Sequence, residues 1–206
     1  MTKWYEPYDS PEEAYVSWYL DEPVEGGYVE DYVPQPKSLL LSGRKTYIWG
    51  KELKTKTKKG VSTLLQEHVY TPDFQVKWTS PQSWLLTKSV SWARCITSLS
   101  ESLYVEKSPP FWTSDMDEAE QYLGFHESYW EVKPSYDQHN MKRLFTINQK
   151  WLYDKYGIYV QKIIPQKLFE ATFTPKRYLL TDKGKQKRKI IFATRTLEEY
   201  VRSRTK

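Results

Sequence analysis

Residues 129–134 read Tyr-Trp-Glu-Val-Lys-Pro, and this short run decides the fold that the chain is expected to adopt. Aromatic and β-branched residues favour a strand, and Pro134 stops it because proline has no N–H to donate to a sheet. Side chains alternate along a strand, so Glu131 and Lys133 share one face while Val132 points the other way, into a core. We therefore predict a strand that is buried on one side and presents an acid and a lysine together.

A second acid in a strand-like setting lies 58 residues upstream. Residues 71–74 read Thr-Pro-Asp-Phe, and they belong to an extended stretch that we predict over residues 63–78. Acids are depleted in strands, so Asp73 needs a reason to be there, the alternative being an ordinary acid at a strand edge. Two acids on neighbouring strands with a lysine nearby form the minimal device for holding Mg²⁺ and hydrolysing a phosphodiester.

The flanking segments predict further helices and strands. Residues 137–156 carry apolar side chains at helical spacing, and Gly157 is suited to end that helix. Residues 158–164 alternate and predict another strand. Upstream, residues 10–22 predict a helix and residues 28–42 an extended segment. This order predicts an α/β fold in which helices flank a mixed sheet.

The chain resembles a known family at these positions. Pro-Asp at 72–73 followed by Glu-Val-Lys at 131–133 resembles the signature of the PD-(D/E)XK nuclease superfamily. Residues 9–14 (Asp-Ser-Pro-Glu-Glu-Ala) and 27–37 (Gly-Tyr-Val-Glu-Asp-Tyr-Val-Pro-Gln-Pro-Lys) resemble the N-terminal half of phage Holliday-junction-resolvase-like endonucleases and transposase nuclease subunits. The resemblance covers about half the chain.

The resemblance implies a restriction-endonuclease-like mixed sheet with an inserted subdomain. The nuclease core is expected over residues 1–165, with insertions at about 43–60, an exposed hairpin or loop, and at about 80–125. Within the second insertion, residues 114–123 look helical. A basic C-terminal hairpin and a short helix are expected over residues 166–206.

The resemblance also implies the roles of the site residues. Asp73 and Glu131 would ligate Mg²⁺ or Mn²⁺, helped by Glu13 and by the Val132 carbonyl. Lys133 would orient the attacking water and stabilise charge in the transition state. Water attacks directly in this chemistry, so we expect no covalent enzyme intermediate.

Several of these residues have structural alternatives. Ser10 is a good N-cap, and Glu13 completes an S-x-x-E capping box, so capping alone could account for Glu13; Glu12 is the neighbouring candidate ligand. Gln35 lies where related nucleases often carry a glutamine near the metal, but it is also a polar residue between two prolines. Glu131 could belong to an exposed strand pair on a solvated face.

Charge is unevenly distributed along a chain of 206 residues with a formal net charge of +5. Residues 1–31 hold nine acids against Lys3 alone, whereas residues 176–206 hold eleven Lys or Arg. Residues 177–180 and 189–192 predict a hairpin around a basic turn. Such runs are often solvated, but beside a nuclease core they predict sequence-independent phosphate contacts. The candidate DNA-binding residues are Lys54, Lys56, Lys58, Lys59, Lys183, Lys185, Lys187, Arg188 and Lys189.

Cysteine and histidine usage argues against some classes of protein. Cys95 is the only cysteine, so no intrachain disulfide exists and an intracellular setting is favoured. With His68, His126 and His139 scattered, we expect no structural zinc site. No run resembles a signal peptide or reaches membrane-spanning length, so we expect a soluble protein. The resemblance implies that its setting is the cytoplasm of a bacterial host, free or associated with a phage particle.

Two alternatives to a nuclease remain open. A nuclease fold that no longer cuts could serve as a DNA-binding or assembly subunit. A structural component of a phage particle would use the nine Trp and seventeen Tyr residues at protein interfaces. A homodimer, or assembly with other phage or mobile-element proteins, is compatible with each alternative.

Overall fold

The structure, a computed structural model, consists of four helices and eight strands within its described residues. It describes residues 3–79, 127–135, 141–181 and 186–204. Most of the expected insertion at 80–125, including the helix expected at 114–123, lies outside the described residues. No helix in the described part of the chain is long and apolar enough to cross a membrane.

The element order agrees with the expected α/β fold, although the extended segment predicted over residues 28–42 is divided into two strands of different sheets. The helices are α1 (Pro11–Glu25), α2 (Met141–Tyr156), α3 (Pro165–Ala171) and α4 (Leu197–Arg204), with a 3₁₀ helix at Lys176–Leu179. The strands are β1 (Val29–Pro34), β2 (Leu39–Ser42), β3 (Lys45–Glu52), β4 (Thr57–Leu65), β5 (His68–Tyr70), β6 (Phe74–Trp78), β7 (Glu127–Val132) and β8 (Val160–Ile163).

The main sheet has the strand order β1-β6-β7-β8 and is mixed, as predicted. β6 pairs antiparallel with both β1 and β7, while β7 pairs parallel with β8. Parallel neighbours need a crossover connection, and here α2 provides it. The sheet therefore places the start of β6 beside the end of β7, where the two predicted acids lie.

The two faces of the main sheet contribute to different hydrophobic clusters, because side chains alternate along each strand. The larger cluster lies on the face that α1 covers, and it extends into α3, the 3₁₀ helix and α4. Its members from the sheet are Val29, Phe74, Val76, Trp78, Trp130, Val132 and Ile163. The smaller cluster contains Leu41, Tyr70, Phe145, Leu152 and Val160 and joins the other face to α2, β2 and β5.

Helix α1 begins as predicted but ends later. The Ser10 side chain accepts a hydrogen bond from the Glu13 N–H, as an N-cap should. The helix was predicted over residues 10–22 but extends three residues further, because Pro23 is accommodated in the last turn and Gly26 is the C-cap. Two carbonyls at this end of the helix are capped: the Gly26 N–H donates to Glu22 O at 2.8 Å, and the Tyr28 N–H donates to Pro23 O at 2.8 Å.

The region between β1 and β6 holds two strand pairs. β3 and β4 form a hairpin, which settles the expected hairpin or loop over 43–60 and extends it to Leu65. The extended stretch predicted over 63–78 is therefore divided among β4, β5 and β6. β2 and β5 pair antiparallel, with Leu39 opposite Tyr70. Tyr70, the last residue of β5, contacts Glu131 of the main sheet.

The C-terminal part of the chain belongs to the main core. Leu168, Phe173 and Tyr200 are each at most 3% exposed and share a cluster with α1. The expected short helix near the C terminus is confirmed as α4, where Thr196 and Glu199 form a capping box. Helix α3 was not predicted.

The predicted hairpin of strands 177–180 and 189–192 was wrong in detail. Residues 176–179 form the 3₁₀ helix, and the pairing among described residues is a single antiparallel bridge between Leu180 and Lys187. Arg188 was predicted to be an exposed phosphate-binding residue on this turn, but its side chain is half-buried. Its guanidinium lies 4.9 Å from the Tyr15 ring centroid and 4.6 Å from that of Tyr178, and it donates to the Tyr15 hydroxyl at 3.1 Å.

We expect Arg188→Ala to lower the free energy of unfolding by about 1–3 kcal/mol, since it removes cation–π contacts and a hydrogen bond. The adjacent Lys189 is exposed, so Lys189→Ala is the matched control and should change stability by no more than about 0.5 kcal/mol. Urea unfolding measures both. Equal, small effects would contradict a packing role for Arg188.

Candidate active site

The site forms where β6 begins and β7 ends. The last paired residues of this ladder are Phe74 and Trp130. Beyond this pair, the Val132 N–H donates to Asp73 Oδ2 at 2.6 Å. A side-chain oxygen thus takes the place that a backbone carbonyl would have in a longer strand pair. Asp73 is thereby held against the end of β7, next to Glu131.

Glu131 and Lys133 share one face of the strand, as the alternation of side chains predicted. The Lys133 Nζ lies 2.6 Å from Glu131 Oε1, and both side chains are largely buried, at 18% and 10% exposed. Val132 points the other way, into the larger cluster, which confirms the second half of that prediction. The acid and the lysine thus lie at the sheet surface with a packed residue beneath them.

Tyr70 is a site residue that sequence reasoning missed. Its hydroxyl donates to Glu131 Oε2 at 2.6 Å, across 61 residues of sequence. Burial, and then the negative charge of Glu131, raise the pKa of the Tyr70 phenol, so it stays protonated and remains a donor. No local pattern marks this contact, because it depends on the pairing of β5 with β2.

Asp73 carries the clearest electrostatic signature of the site. Burial, followed by the negative charge of Glu131, raises the pKa of Asp73 to about 7. Glu13 adds to this effect, while the hydrogen bond from Val132 and the charge of Lys133 oppose it. The charges of Glu131 and Glu13 therefore act on Asp73 together, and the charge of Lys133 does not fully compensate them.

Glu13 makes the capping contacts of its alternative interpretation and is also electrostatically linked to the site. Its Oε1 accepts from the Ser10 hydroxyl at 2.7 Å and its Oε2 from the Asp9 N–H at 3.3 Å, rather than from the Ser10 N–H expected of a simple capping box. It is 7% exposed, and burial raises its pKa, an effect that the charge of Lys133 opposes. A metal-binding role for Glu13 stays a prediction.

Gln35 lies at the same end of the sheet. Its backbone has a positive φ of 46°, and its N–H donates to the Asp73 carbonyl at 2.8 Å. The Gln35 side chain is exposed and donates to Asp9 Oδ2 at 2.8 Å. Its backbone therefore helps to position Asp73, while its amide is engaged with Asp9, which precedes α1.

Lys162 is a second cation beside the site that sequence reasoning did not single out. The parallel register places it directly opposite Glu131, and it is half-buried. Paired residues of neighbouring strands present their side chains on the same face. The alternation of β8 shows only which side chains share its faces, and the register that sets Lys162 opposite Glu131 has no local signal in the sequence.

The donor set suits a hard divalent cation. Asp73 and Glu131 offer carboxylate oxygens, and Mg²⁺ is usually held by one or two carboxylates while it keeps several waters. The pKa of Asp73 is raised first by burial and then by the negative charge of Glu131, and a bound cation would oppose both effects. In the described part of the chain, however, no three His, Cys, Asp or Glu side chains form a group that could hold a metal ion as they stand.

The candidate DNA-binding lysines lie away from this cluster. Lys54, Lys56, Lys58 and Lys59 are exposed on the β3–β4 hairpin or in its turn. Lys187 and Lys189 are exposed near the C terminus, whereas residues 182–185, with Lys183 and Lys185, lie outside the described residues. DNA contact by these side chains stays a prediction.

In comparisons with protein-family models, curated proteins and solved structures, nothing matches this chain. Asp73, Glu131, Lys133 and Tyr70 are therefore the residues whose chemistry indicates a function.

We expect the stability of the metal-free protein to fall as pH rises from about 4 to about 8. Asp73 holds its proton to about pH 7 in the folded protein, against a usual pKa of 3.8, so the folded state binds more protons in between. Asp73→Asn has no such charge, and its melting temperature in EDTA should exceed that of wild type by a margin that grows with pH. The difference in pKa sets an upper limit of about 4 kcal/mol.

Asp154→Asn is the control for this experiment, because Asp154 is an exposed acid on α2. Its melting temperature should follow that of wild type at every pH. A constant difference between Asp73→Asn and wild type from pH 4 to 8 would show that Asp73 is an ordinary solvated acid.

Proposed function

We propose that this chain is a divalent-metal-dependent endonuclease of the PD-(D/E)XK type that hydrolyses DNA phosphodiester bonds. The observation that carries this proposal is the meeting of Asp73, Glu131 and Lys133 at adjacent strand ends, with Lys133 ion-paired to Glu131 at 2.6 Å. The restriction-endonuclease-like fold is part of the same proposal, and the mixed sheet with α1 on one face and α2 on the other is compatible with it.

Asp73 and Glu131 would hold Mg²⁺ or Mn²⁺, with Glu13 and the Val132 carbonyl beside them. When bound, such a cation neutralises charge on the phosphoryl oxygens and lowers the pKa of water. The buried setting of Asp73 keeps bulk water from screening the carboxylates, which strengthens their attraction for a cation. The hydrogen bond from Val132 holds the Asp73 carboxylate in place before substrate arrives.

Lys133 would orient the attacking water and stabilise the negative charge that grows on the phosphate. An ammonium has three donors, so its contact with Glu131 leaves two others for water and phosphate. Tyr70 fixes the other oxygen of Glu131 and so limits the rotation of that carboxylate. Because water is the nucleophile, the residues position and polarise reactants and form no covalent bond with them.

The proposed substrate is DNA, in a structure-specific, junction-resolvase-like reaction of a phage or mobile element. The excess of basic residues over acidic ones is compatible with a phosphate-bearing partner. The proposed setting is the cytoplasm of a bacterial host, or a phage particle within it.

One observation favours a second candidate, a nuclease fold that no longer cuts and acts as a DNA-binding or assembly subunit. Both carboxylate oxygens of Glu131 are already engaged, one by Tyr70 and one by Lys133. A site closed in this way would bind metal weakly. A role as a structural component of a phage particle would draw on exposed apolar residues such as Ile48 and Val61 instead.

We expect Asp73→Asn and Glu131→Gln each to reduce DNA cleavage at least about a hundredfold, because each removes a charged metal ligand and keeps its shape. Single-turnover assays with Mg²⁺ on branched, single-stranded and linear DNA measure the loss. Binding of the same DNAs in Ca²⁺ should survive, which separates chemistry from binding.

Glu127→Gln is the matched control for Glu131→Gln. Glu127 lies on the same strand and the same face, but it is exposed and bonds Gln75. This variant should cut like wild type. Near-normal cleavage by Asp73→Asn or Glu131→Gln would show that the site assignment is wrong, and no cleavage by wild type on any of the three DNAs would favour the silent subunit.

We expect Tyr70→Phe to weaken cleavage about 10- to 100-fold and to raise the Mg²⁺ concentration needed for half-maximal rate, since Glu131 loses a partner that positions it. High Mg²⁺ should restore part of the rate, which a loss of stability alone would not allow. Tyr129→Phe is the control, because it removes a hydroxyl bonded to Glu127 at 3.3 Å. An unchanged Mg²⁺ requirement in Tyr70→Phe would exclude a positioning role.

A further inference from the structure

The β3–β4 hairpin is a two-stranded ribbon exposed on both faces. Eight residue pairs join its strands, and residues 53–56 form the turn at its tip. Eight residues per strand give a length of about 27 Å at roughly 3.4 Å per residue. Ile48 on one face is 81% exposed and Tyr47 on the other is 46% exposed, so neither side of the ribbon is fully covered by the rest of the described chain. Its surface is available for a partner.

The ribbon carries the basic excess of the whole protein. Residues 44–65 contain seven of the 31 Lys and Arg residues but one of the 26 Asp and Glu residues, so the rest of the chain holds 24 basic and 25 acidic side chains. A partner of the ribbon is therefore expected to be strongly negative.

The two faces of the ribbon differ in chemistry. Paired residues share a face, so the register separates the side chains unambiguously. One face, which we name the aromatic face, carries Tyr47, Trp49, Lys51 and Lys58. The opposite face carries Ile48, Glu52, Lys59 and Val61. Both faces are basic, but the aromatic residues lie on one of them.

The aromatic face is built as a platform. The Trp49 indole lies directly over Gly60, where a Cβ would come within 2.7 Å of the ring. The Trp49 Nε1 donates to Ser62 Oγ at 2.8 Å, which fixes the orientation of the ring across β4. Tyr47 lies two residues along the same face and is 46% exposed. Two aromatic side chains are thus held side by side on an open surface.

Next to these rings, Lys51 and Lys58 lie directly opposite each other on the two strands. Like charges in this position destabilise a strand pair, so folding alone gives no reason for them. Along residues 45–65, all of which the structure describes, the single acid is Glu52, and it lies on the opposite face. An anion bound between Lys51 and Lys58 would relieve the repulsion.

We propose that the aromatic face binds single-stranded DNA, with phosphates at Lys51 and Lys58 and unpaired bases against Tyr47 and Trp49. Stacking on an aromatic ring requires the flat face of a base, and duplex DNA exposes only the edges of its bases in the grooves. A platform of aromatic residues beside paired lysines therefore fits a strand whose bases are free. The inference depends on the proposed function only for the identity of the polymer as DNA.

The chain connects this platform to the candidate active site. Two residues, 43–44, join β2 to β3, and two more, 66–67, join β4 to β5. β5 ends at Tyr70, whose hydroxyl holds Glu131. The ribbon is therefore an outgrowth of the strand pair that positions the acid, and the substrate class that fits both is DNA with an unpaired stretch next to the bond to be cut.

The test compares neighbouring residues on opposite faces of the ribbon. Tyr47→Ala and Lys58→Ala change the aromatic face, while Ile48→Ala and Lys59→Ala make the matched changes on the other face. All four side chains are exposed, so the fold should survive, which circular dichroism and melting temperature check. Binding is measured by fluorescence anisotropy in Ca²⁺, with a labelled oligothymidylate longer than the roughly 4–16 nucleotides of such a site and with a duplex of equal length.

We expect Tyr47→Ala to weaken binding of the oligothymidylate about tenfold and to leave duplex binding unchanged, because it removes a stacking surface. Lys58→Ala should lower the slope of log K against log salt by about 0.7 for the single strand, the value for one phosphate contact. Ile48→Ala and Lys59→Ala should bind the oligothymidylate like wild type, because both side chains lie on the opposite face; for Lys59 this replaces the sequence-based expectation of a DNA contact. Wild type should prefer the single strand.

The proposal is overturned if Tyr47→Ala and Lys58→Ala bind like wild type, if the opposite face carries the loss, or if duplex binding falls equally. It is also overturned if wild type does not bind the oligothymidylate and Tyr47→Ala instead changes self-association, since the ribbon would then be a protein interface. These measurements need no cleavage. A protein that fails to cut DNA but binds as expected would support the single-strand site and reject the nuclease. Normal cleavage with unchanged binding in all four variants would support the nuclease and reject the single-strand site.

Discussion

The hydrogen bond from the Val132 N–H to Asp73 Oδ2 is the contact on which the arrangement of the site depends. It adds one hydrogen bond, with a side-chain acceptor, to the pairing of β6 with β7. The Asp73 carbonyl accepts the N–H of Gln35, which directly follows β1. One residue thus ties the ends of three strands together. A charged acceptor forms a stronger hydrogen bond than a neutral one. This contact therefore favours the ionised form of Asp73 and opposes the effect of burial, which favours the protonated form.

Local patterns were enough to predict the elements of the sheet and part of the site. The alternation around Glu131 correctly placed Lys133 beside it and Val132 in the core, since strand geometry has a fixed period. Tyr70 could not be found in this way, because its contact with Glu131 is set by the pairing of β2 with β5. The same limit applies to Lys162, whose position beside Glu131 follows from the parallel register of β8.

Charge alone was a poor guide to the roles of the basic residues. Arg188 belongs to a run that reads as a solvated turn, yet its guanidinium packs on two tyrosine rings. A planar, delocalised cation stacks on aromatic faces with little loss of hydration, which an ammonium does less well. Helix α3 was missed because no element was assigned directly after the strand predicted over residues 158–164, although Pro165 is a good first helical residue.

The packing of the C-terminal residues against α1 has a consequence for how the protein folds. Arg188 and Tyr15 are 173 residues apart in sequence, and Tyr19 meets Thr172 across 153 residues. The sheet covers part of α1, but the part that packs against the C-terminal elements stays exposed until those elements have been synthesised. Contacts of such long range must overcome a large loop-closure entropy, so the final docking of these elements onto α1 should be slow, and the exposed rings are a site where the nascent chain could aggregate.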